Sequence, residues 1–73
     1  MSVKEKLLFF SEHGMSISFI AKEMGVDSST LNKWLNGKKG ITHKNEEKLF
    51  TTLQKITRDF LEIMEMSENE QNN

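Results

Sequence analysis

The chain has 73 residues, enough for one small domain and too few for a second. It contains 36% apolar and 29% charged residues, no Pro and no Cys, which excludes collagen-like chains, disulfide scaffolds and thiolate metal sites. No apolar run approaches the roughly 20 residues of a membrane helix, and the N-terminus lacks the pattern of a signal peptide. We therefore expect a soluble, cytoplasmic protein with no membrane partner.

The charges nearly cancel overall but are unevenly distributed. The net charge is -1. Residues 25–44 carry four lysines against one aspartate, a net +3, whereas residues 45–73 carry three basic against seven acidic residues, a net -4. A polyanion is expected to meet the middle of the chain and to be repelled by its C-terminal part. The alternative, that these charges only solvate the surface, stays open at this point.

Capping patterns and glycine breaks predict two helices in the first third of the chain. Ser2 and Glu5 have the spacing of a capping box, which starts a first helix that ends at His13 with Gly14 as its left-handed stop. Ser16 is placed as the N-cap of a second, short helix that ends at the next glycine, residue 25. Apolar residues recur at helical spacing in both segments.

Two further helices are predicted in the rest of the chain. Asp27 is placed as the N-cap of a third helix over residues 28–36, where Leu31 and Trp34 share one face. From the N-cap Thr42, apolar residues recur every three or four positions without a Gly or Pro, which predicts one long helix to residue 66. The methionines expected in the core are Met15, Met24, Met64 and Met66.

The predicted fold class is all-α, a small helix-turn-helix domain of four helices with a long C-terminal helix. The domain covers residues 1–66, with the helix-turn-helix over 16–37 and the long helix over 42–66. Residues 67–73 are strongly polar and are predicted to form a disordered tail.

The second and third helices, joined by a tight turn at Gly25, have the arrangement of a helix-turn-helix. Ala21 is small where the two helices cross, and Val26 fills the turn. The stretch from Ser16 to Lys39 resembles the Cro and lambda-repressor-like (XRE-type) family of helix-turn-helix DNA-binding proteins. The matching pattern is Ile-Ala-x-x-x-Gly-Val followed by Ser-Thr-Leu-x-x-Trp-x-x-Gly-Lys.

The chain departs from this family in two places. Ile17 stands where the family often has a Gln that contacts phosphate. One long helix replaces the two shorter helices that usually follow the helix-turn-helix.

The resemblance implies that double-stranded DNA is the partner and that the third helix reads its bases. The predicted base-reading residues are Ser28, Ser29, Asn32, Lys33 and Asn36. An Asn can pair with adenine and a Lys with guanine in the major groove. The predicted phosphate contacts, which position the protein without reading sequence, are Ser16, Ser18, Thr30, Lys38, Lys39 and Lys44.

The C-terminal half of the long helix carries more apolar surface than a small core can cover. One prediction is a homodimer whose interface consists of Ile56, Phe60, Leu61, Ile63 and Met64. The alternative is that residues 56–66 fold back onto the first helix, at Leu8, Phe9 and Phe10.

No pattern of residues indicates catalysis or a bound metal. His13 and His43 are thirty residues apart with no ligand set around them, and no phosphate loop or catalytic triad can be assembled. We expect neither a cofactor nor an enzyme. The leading hypothesis is a sequence-specific DNA-binding transcriptional regulator, a repressor of phage or plasmid type that binds as a dimer. The alternative is a helix-turn-helix scaffold reused for protein binding, as in an antirepressor, an anti-CRISPR protein or another host-factor inhibitor.

Overall fold

The computed structural model describes residues 1–66, which form four α-helices joined by short turns. The helices are α1 (Val3–Glu12), α2 (Ile17–Met24), α3 (Ser28–Leu35) and α4 (His43–Glu65). The described residues contain no strand, and the predicted all-α class with a long C-terminal helix is confirmed. The predicted tail, residues 67–73, lies outside the described residues.

Side-chain caps start three of the four helices. The Ser2 hydroxyl accepts from the backbone N–H of Glu5 at 3.1 Å, and the Glu5 carboxylate accepts from the Ser2 N–H at 3.0 Å. This second hydrogen bond favours the ionised carboxylate and lowers the pKa of Glu5. Ser16 and Thr42 likewise accept from backbone N–H groups three residues further on. Asp27 occupies the predicted N-cap position of α3. However, its side chain makes no capping hydrogen bond with the helix.

Three glycines with left-handed dihedrals follow the first three helices, among them the predicted left-handed stop at Gly14. Their φ angles are +99° at Gly14, +84° at Gly25 and +73° at Gly37. However, α1 and α3 each end one residue earlier than predicted, at Glu12 and Leu35. The residue between each of these two helix ends and the following glycine already has a ψ near zero, 20° after α1 and 3° after α3.

The hydrophobic core lies between the inward faces of all four helices. Its buried side chains are Leu7, Ile20, Ala21, Met24, Leu31, Trp34, Leu49, Leu53 and Ile56. Each buried Leu or Ile contributes about 1.5–3 kcal/mol relative to exposure. The buried hydroxyl of Thr52 donates to the Lys48 carbonyl at 2.8 Å, and no buried side-chain polar atom of the described residues lacks a hydrogen-bond partner.

The last two turns of α4 extend beyond this core. Ile56 is only 3% exposed, whereas Phe60 is 55%, Leu61 is 56% and Met64 is 81% exposed. Ile56, predicted for a dimer interface, therefore belongs to the core of its own chain and is inaccessible to a second copy. The predicted core role of Met64 and Met66 is wrong as well, because both side chains are exposed at the end of α4, 81% and 41% respectively.

The fold-back alternative does not describe this structure. Helix α4 continues unbroken to Glu65, and Leu8 and Phe9 of α1 remain exposed. Of the apolar side chains near the end of α4, Leu61 lines a groove between α1 and α4 together with Phe10. The groove is open, so most of the apolar surface at the end of α4 stays in contact with solvent.

Because only the cap of α2 forms a side-chain hydrogen bond, mutating the caps of α2 and α3 should lower the free energy of unfolding by different amounts. Ser16→Ala removes the acceptor of the Phe19 N–H and should lower the free energy of unfolding by about 1 kcal/mol. Asp27→Ala removes no such hydrogen bond and should lower it by less. Chemical denaturation of the two variants measures both values. A loss for Asp27→Ala equal to that for Ser16→Ala would show that the carboxylate caps α3 in solution.

Candidate nucleic-acid interface

Helix α3 presents a polar face to solvent on the side opposite its core contacts. Leu31 and Trp34 are buried, and residues three or four apart share one side of a helix. The positions i, i+3, i+4 and i+7 on the other side are all polar and exposed: Ser29, Asn32, Lys33 and Asn36. Four of the five residues predicted to read bases therefore lie together on one surface, which we call the α3 polar face.

The side chains of the α3 polar face are not engaged by other groups of the described residues. Within residues 1–66, none of the four takes part in a side-chain hydrogen bond or an ion pair. Each Asn amide offers two donor hydrogens and an acceptor oxygen, and the Lys33 ammonium offers three donors. These are the groups that pair with base edges in the major groove of DNA, whose width admits an α-helix.

Two predicted contacts lie at the edges of this face. Ser28, the first residue of α3, is half-buried on the flank next to Leu35. Thr30 is half-buried on the opposite flank, one helical turn before Trp34. Base reading by Ser28 and phosphate contact by Thr30 therefore remain predictions. Both contacts would be made from the edges of the α3 polar face.

The turn between α2 and α3 sets the direction of the α3 polar face. The Gly25 and Val26 N–H groups both donate to the Ala21 carbonyl, at 2.8 and 3.0 Å. This closure of the α2 C-terminus depends on the left-handed conformation that glycine adopts without strain. Ala21 is buried where α2 meets α3, and Val26 packs against the core. Backbone hydrogen bonds and packing together hold α3 across α2.

Three exposed lysines follow α3 in the chain. The Lys38 N–H donates to the Lys33 carbonyl at 2.8 Å, which keeps the lysine pair Lys38 and Lys39 close to the end of α3. Lys44 is the second residue of α4, where unpaired N–H groups and the helix dipole favour an anion. None of the three forms an ion pair within the described part of the chain. Their positions suit contacts with phosphate groups.

The N-terminus of α2 supplies two exposed hydroxyls. The Ser16 oxygen accepts from the Phe19 N–H at 3.0 Å, which leaves its hydroxyl hydrogen to donate to another group. Ser18 lies in the first turn and is exposed. Ile17, between them, packs partly buried against the core. This packing explains why an apolar residue can stand at a position that the resemblance associates with phosphate binding.

Lys48 is a basic residue near this surface that sequence reasoning missed. It is exposed on α4, and its ammonium lies 3.9 Å from the point where a Cβ on Gly25 would stand. The spacing of four residues between Lys44 and Lys48 places both on one side of α4, and this spacing is the feature of the sequence that could have identified Lys48. His43 has a different role, since its Nε2 pairs with the Glu47 carboxylate at 3.0 Å.

Asp27 is the acidic residue of the +3 segment and lies at the N-terminal end of α3. Its side chain is exposed and makes no capping hydrogen bond. The positive end of the helix dipole stabilises this carboxylate, but an approaching phosphate group meets a like charge there. Asp27 therefore reduces the positive potential near the α3 polar face.

The remaining electrostatic features lie outside the interface. Lys55 donates to the Asp59 carboxylate at 2.8 Å, and this hydrogen bond raises the pKa of Lys55. Among residues 1–66 no group of three His, Asp or Glu side chains is arranged to hold a metal ion. No helix in this range is long and apolar enough to cross a bilayer.

Comparison with known protein families agrees with this geometry. The family model described as helix-turn-helix matches residues 3–61, a range that includes α1, α2, α3 and most of α4. No curated protein and no solved structure shows significant similarity to the chain. The family match covers well over half of the chain and includes both helices and the turn that carry the α3 polar face. The chain belongs to the XRE-type helix-turn-helix family of DNA-binding regulators.

Proposed function

We propose that the chain is a transcriptional repressor of phage or plasmid type that binds a specific sequence of double-stranded DNA as a homodimer. The observation that supports it is the α3 polar face, whose side chains are exposed and have no partner among residues 1–66, within a matched helix-turn-helix. Asn32 and Lys33 are neighbours at its centre and supply the groups that recognise adenine and guanine. Ser29 and Asn36 extend the reading surface by one turn in opposite directions, and Ser28 borders it.

Contacts with the phosphate backbone fix the register of α3 in the groove. Lys38, Lys39 and Lys44 reach the backbone beyond the C-terminal end of α3. Ser16 and Ser18 bind at the start of α2, and Thr30 binds from the flank of α3. Lys48 joins this group because it lies at the turn between α2 and α3.

A homodimer accounts for the exposed apolar end of α4 and for the small number of base contacts in one copy. Two copies on one palindromic site double those contacts, at half-sites about 34 Å apart. The interface consists of the exposed residues of the predicted set, Phe60, Leu61, Ile63 and Met64. Repression is the simplest outcome, because a dimer bound at a promoter blocks access to it.

Protein binding is a second candidate function, favoured by exposed aromatic residues away from α3. Phe9 is exposed on α1 with its ring stacked on His13 at 4.1 Å between centroids, and Phe19 is exposed on α2. Such side chains commonly serve as anchors in protein interfaces. An electrophoretic shift assay at low and moderate salt separates the two functions, since a protein-binding scaffold would show no complex with any duplex that survives moderate salt.

The base-reading role of the α3 polar face can be tested by truncation. We expect Asn32→Ala and Lys33→Ala each to weaken binding to a site selected from random duplexes by about 1–3 kcal/mol, with unchanged helix content. The control Lys4→Ala, on α1, should bind like wild type. Fluorescence anisotropy with the selected and a scrambled duplex measures the loss. Wild-type affinity in both α3 variants would contradict the assignment of the recognition helix.

The lysines assigned to phosphates should behave differently. Replacing Lys38, Lys39 or Lys44 by Gln should weaken binding to the selected and the scrambled duplex about equally, because the charge of the DNA backbone does not depend on sequence. Each replacement should also lower the slope of log affinity against log salt concentration by roughly one unit. A titration across salt concentrations gives that slope. A loss confined to the selected site would mean that the lysine reads bases.

The position of Asp27 predicts a variant that binds more tightly than wild type. Asp27→Asn removes a negative charge near the DNA without removing a capping hydrogen bond. Binding to any duplex should improve by about 0.5 kcal/mol at low salt, and by less as the salt concentration rises. The same anisotropy titrations report this change. If affinity is unchanged at low salt, the N-terminal end of α3 does not face the DNA.

A further inference from the structure

The exposed end of α4 continues the face that packs in the core. Phe60 lies seven residues after Leu53, two turns along the same side of the helix. Leu53 is buried by the other helices, whereas Phe60, Leu61 and Met64 are at least half exposed. Leu61 lines a groove beside Phe10 of α1, and Phe60 lines a shallow pocket beside Phe19 of α2, but neither contact buries the α4 side chain. The end of α4 therefore presents an apolar face that the other helices of residues 1–66 leave largely exposed.

An open groove of about 530 Å³ adjoins this face, between α1 and α4. Its apolar lining comes from Phe10, Phe50, Leu53 and Leu61, and its cations are Lys6 and Arg58. The Lys6 ammonium lies over the Phe50 ring, 4.6 Å from its centroid. A complementary partner therefore needs an apolar stripe flanked by acidic residues. The end of α4 itself has this composition, since Glu65 borders its exposed apolar residues.

The charges on α4 also indicate how two copies would be oriented. Arg58 and Glu65 are exposed and form no ion pair within residues 1–66. They are seven residues apart, so they occupy the same flank of the apolar face. A twofold axis perpendicular to two antiparallel helices brings that flank of one copy against the same flank of the other. Arg58 of each copy then faces Glu65 of the other copy.

We propose that the exposed face is covered by a second copy of this chain, with the two α4 helices packed antiparallel about a twofold axis between residues 61 and 62. Phe60, Leu61 and Met64 are buried in the contact, and two reciprocal Arg58–Glu65 pairs border it. Glu65 of each copy then lies beside Arg58 at the near end of the other copy's groove. The inference rests on the proposed homodimer and adds its orientation and register.

Charge reversal tests the reciprocal pairs. Arg58→Glu and Glu65→Arg should each raise the dissociation constant of the dimer by about tenfold, since each change replaces two attractive contacts by two repulsive ones. The double variant R58E/E65R should return to within about twofold of wild type. Sedimentation velocity from micromolar to millimolar concentration measures the constant. Circular dichroism confirms folding, which these exposed positions should not affect.

Disulfide trapping tests the orientation. Because the sequence has no cysteine, an introduced cysteine can link only to the same cysteine in the other copy. In the proposed register, residue 61 of each copy lies about 1.5 Å from its equivalent along the helix axis, so Leu61→Cys should cross-link to itself. Equivalent residues at position 57 lie about 13 Å apart along the axis, too far for a disulfide. Thr57→Cys is therefore the matched control and should stay unlinked, whereas a parallel pair would link at both positions.

The outcomes separate this inference from the proposed function. A wild-type dimer that fails to recover in the double variant, or that links through Thr57→Cys, overturns the antiparallel register and leaves the proposed homodimer intact. A wild type that stays monomeric at every concentration overturns both the register and the homodimer. The role of the α3 polar face is tested separately by the Asn32→Ala and Lys33→Ala titrations.

Discussion

The left-handed turn at Gly25 is the constraint on which the arrangement of the other helices depends. Its N–H and that of Val26 converge on the Ala21 carbonyl, so α2 must end there and the chain must leave at a fixed angle. A Cβ at this position would be strained by the backbone angle whatever space surrounds it. Because α3 starts three residues later, the angle of this turn decides which side of α3 faces the core.

Helix α4 combines two roles that small domains usually divide between elements. Its residues up to Ile56 complete the core through Leu49, Leu53 and Ile56, which a chain without disulfides needs for stability. Its second half leaves the core with the same apolar spacing and ends in an acidic surface. The lysines assigned to DNA contacts after α3 lie at the other end of α4 and in the connection before it, at positions 38, 39, 44 and 48. The exposed apolar surface of α4 and these lysines therefore lie at opposite ends of the helix.

Local chemistry made much of the fold predictable. The Ser2–Glu5 capping box, the Ser16 cap and the glycine stops each involve residues a few positions apart, so sequence spacing alone defines them. The polar face of α3 was predictable for a related reason. Helical periodicity requires the positions opposite Leu31 and Trp34 to lie together, whatever the remainder of the chain does.

Features that depend on the length or conformation of distant parts were not predictable. A repeating apolar pattern in α4 does not reveal where the helices that cover it end. The sequence therefore predicts Ile56 in a dimer interface and Met64 in the core, whereas Ile56 is buried and Met64 is exposed. The residue type at position 27 indicates an N-cap but does not set the direction of the carboxylate. Lys48 reaches Gly25 through a long side chain across two helices, a contact that only the packing of α4 creates.

The uninterrupted length of α4 makes it a molecular ruler in the proposed assembly. Seventeen residues separate Lys44 from Leu61, so about 25 Å of rigid helix lies between the DNA contacts and the twofold axis. Inserting one residue in this span would turn everything beyond it by about 100° and swing the apolar end away from its partner. Related chains are therefore expected to differ in length in the connection before α4 and not within the helix. A different spacing between half-sites would then require a change in the residues of the dimer interface.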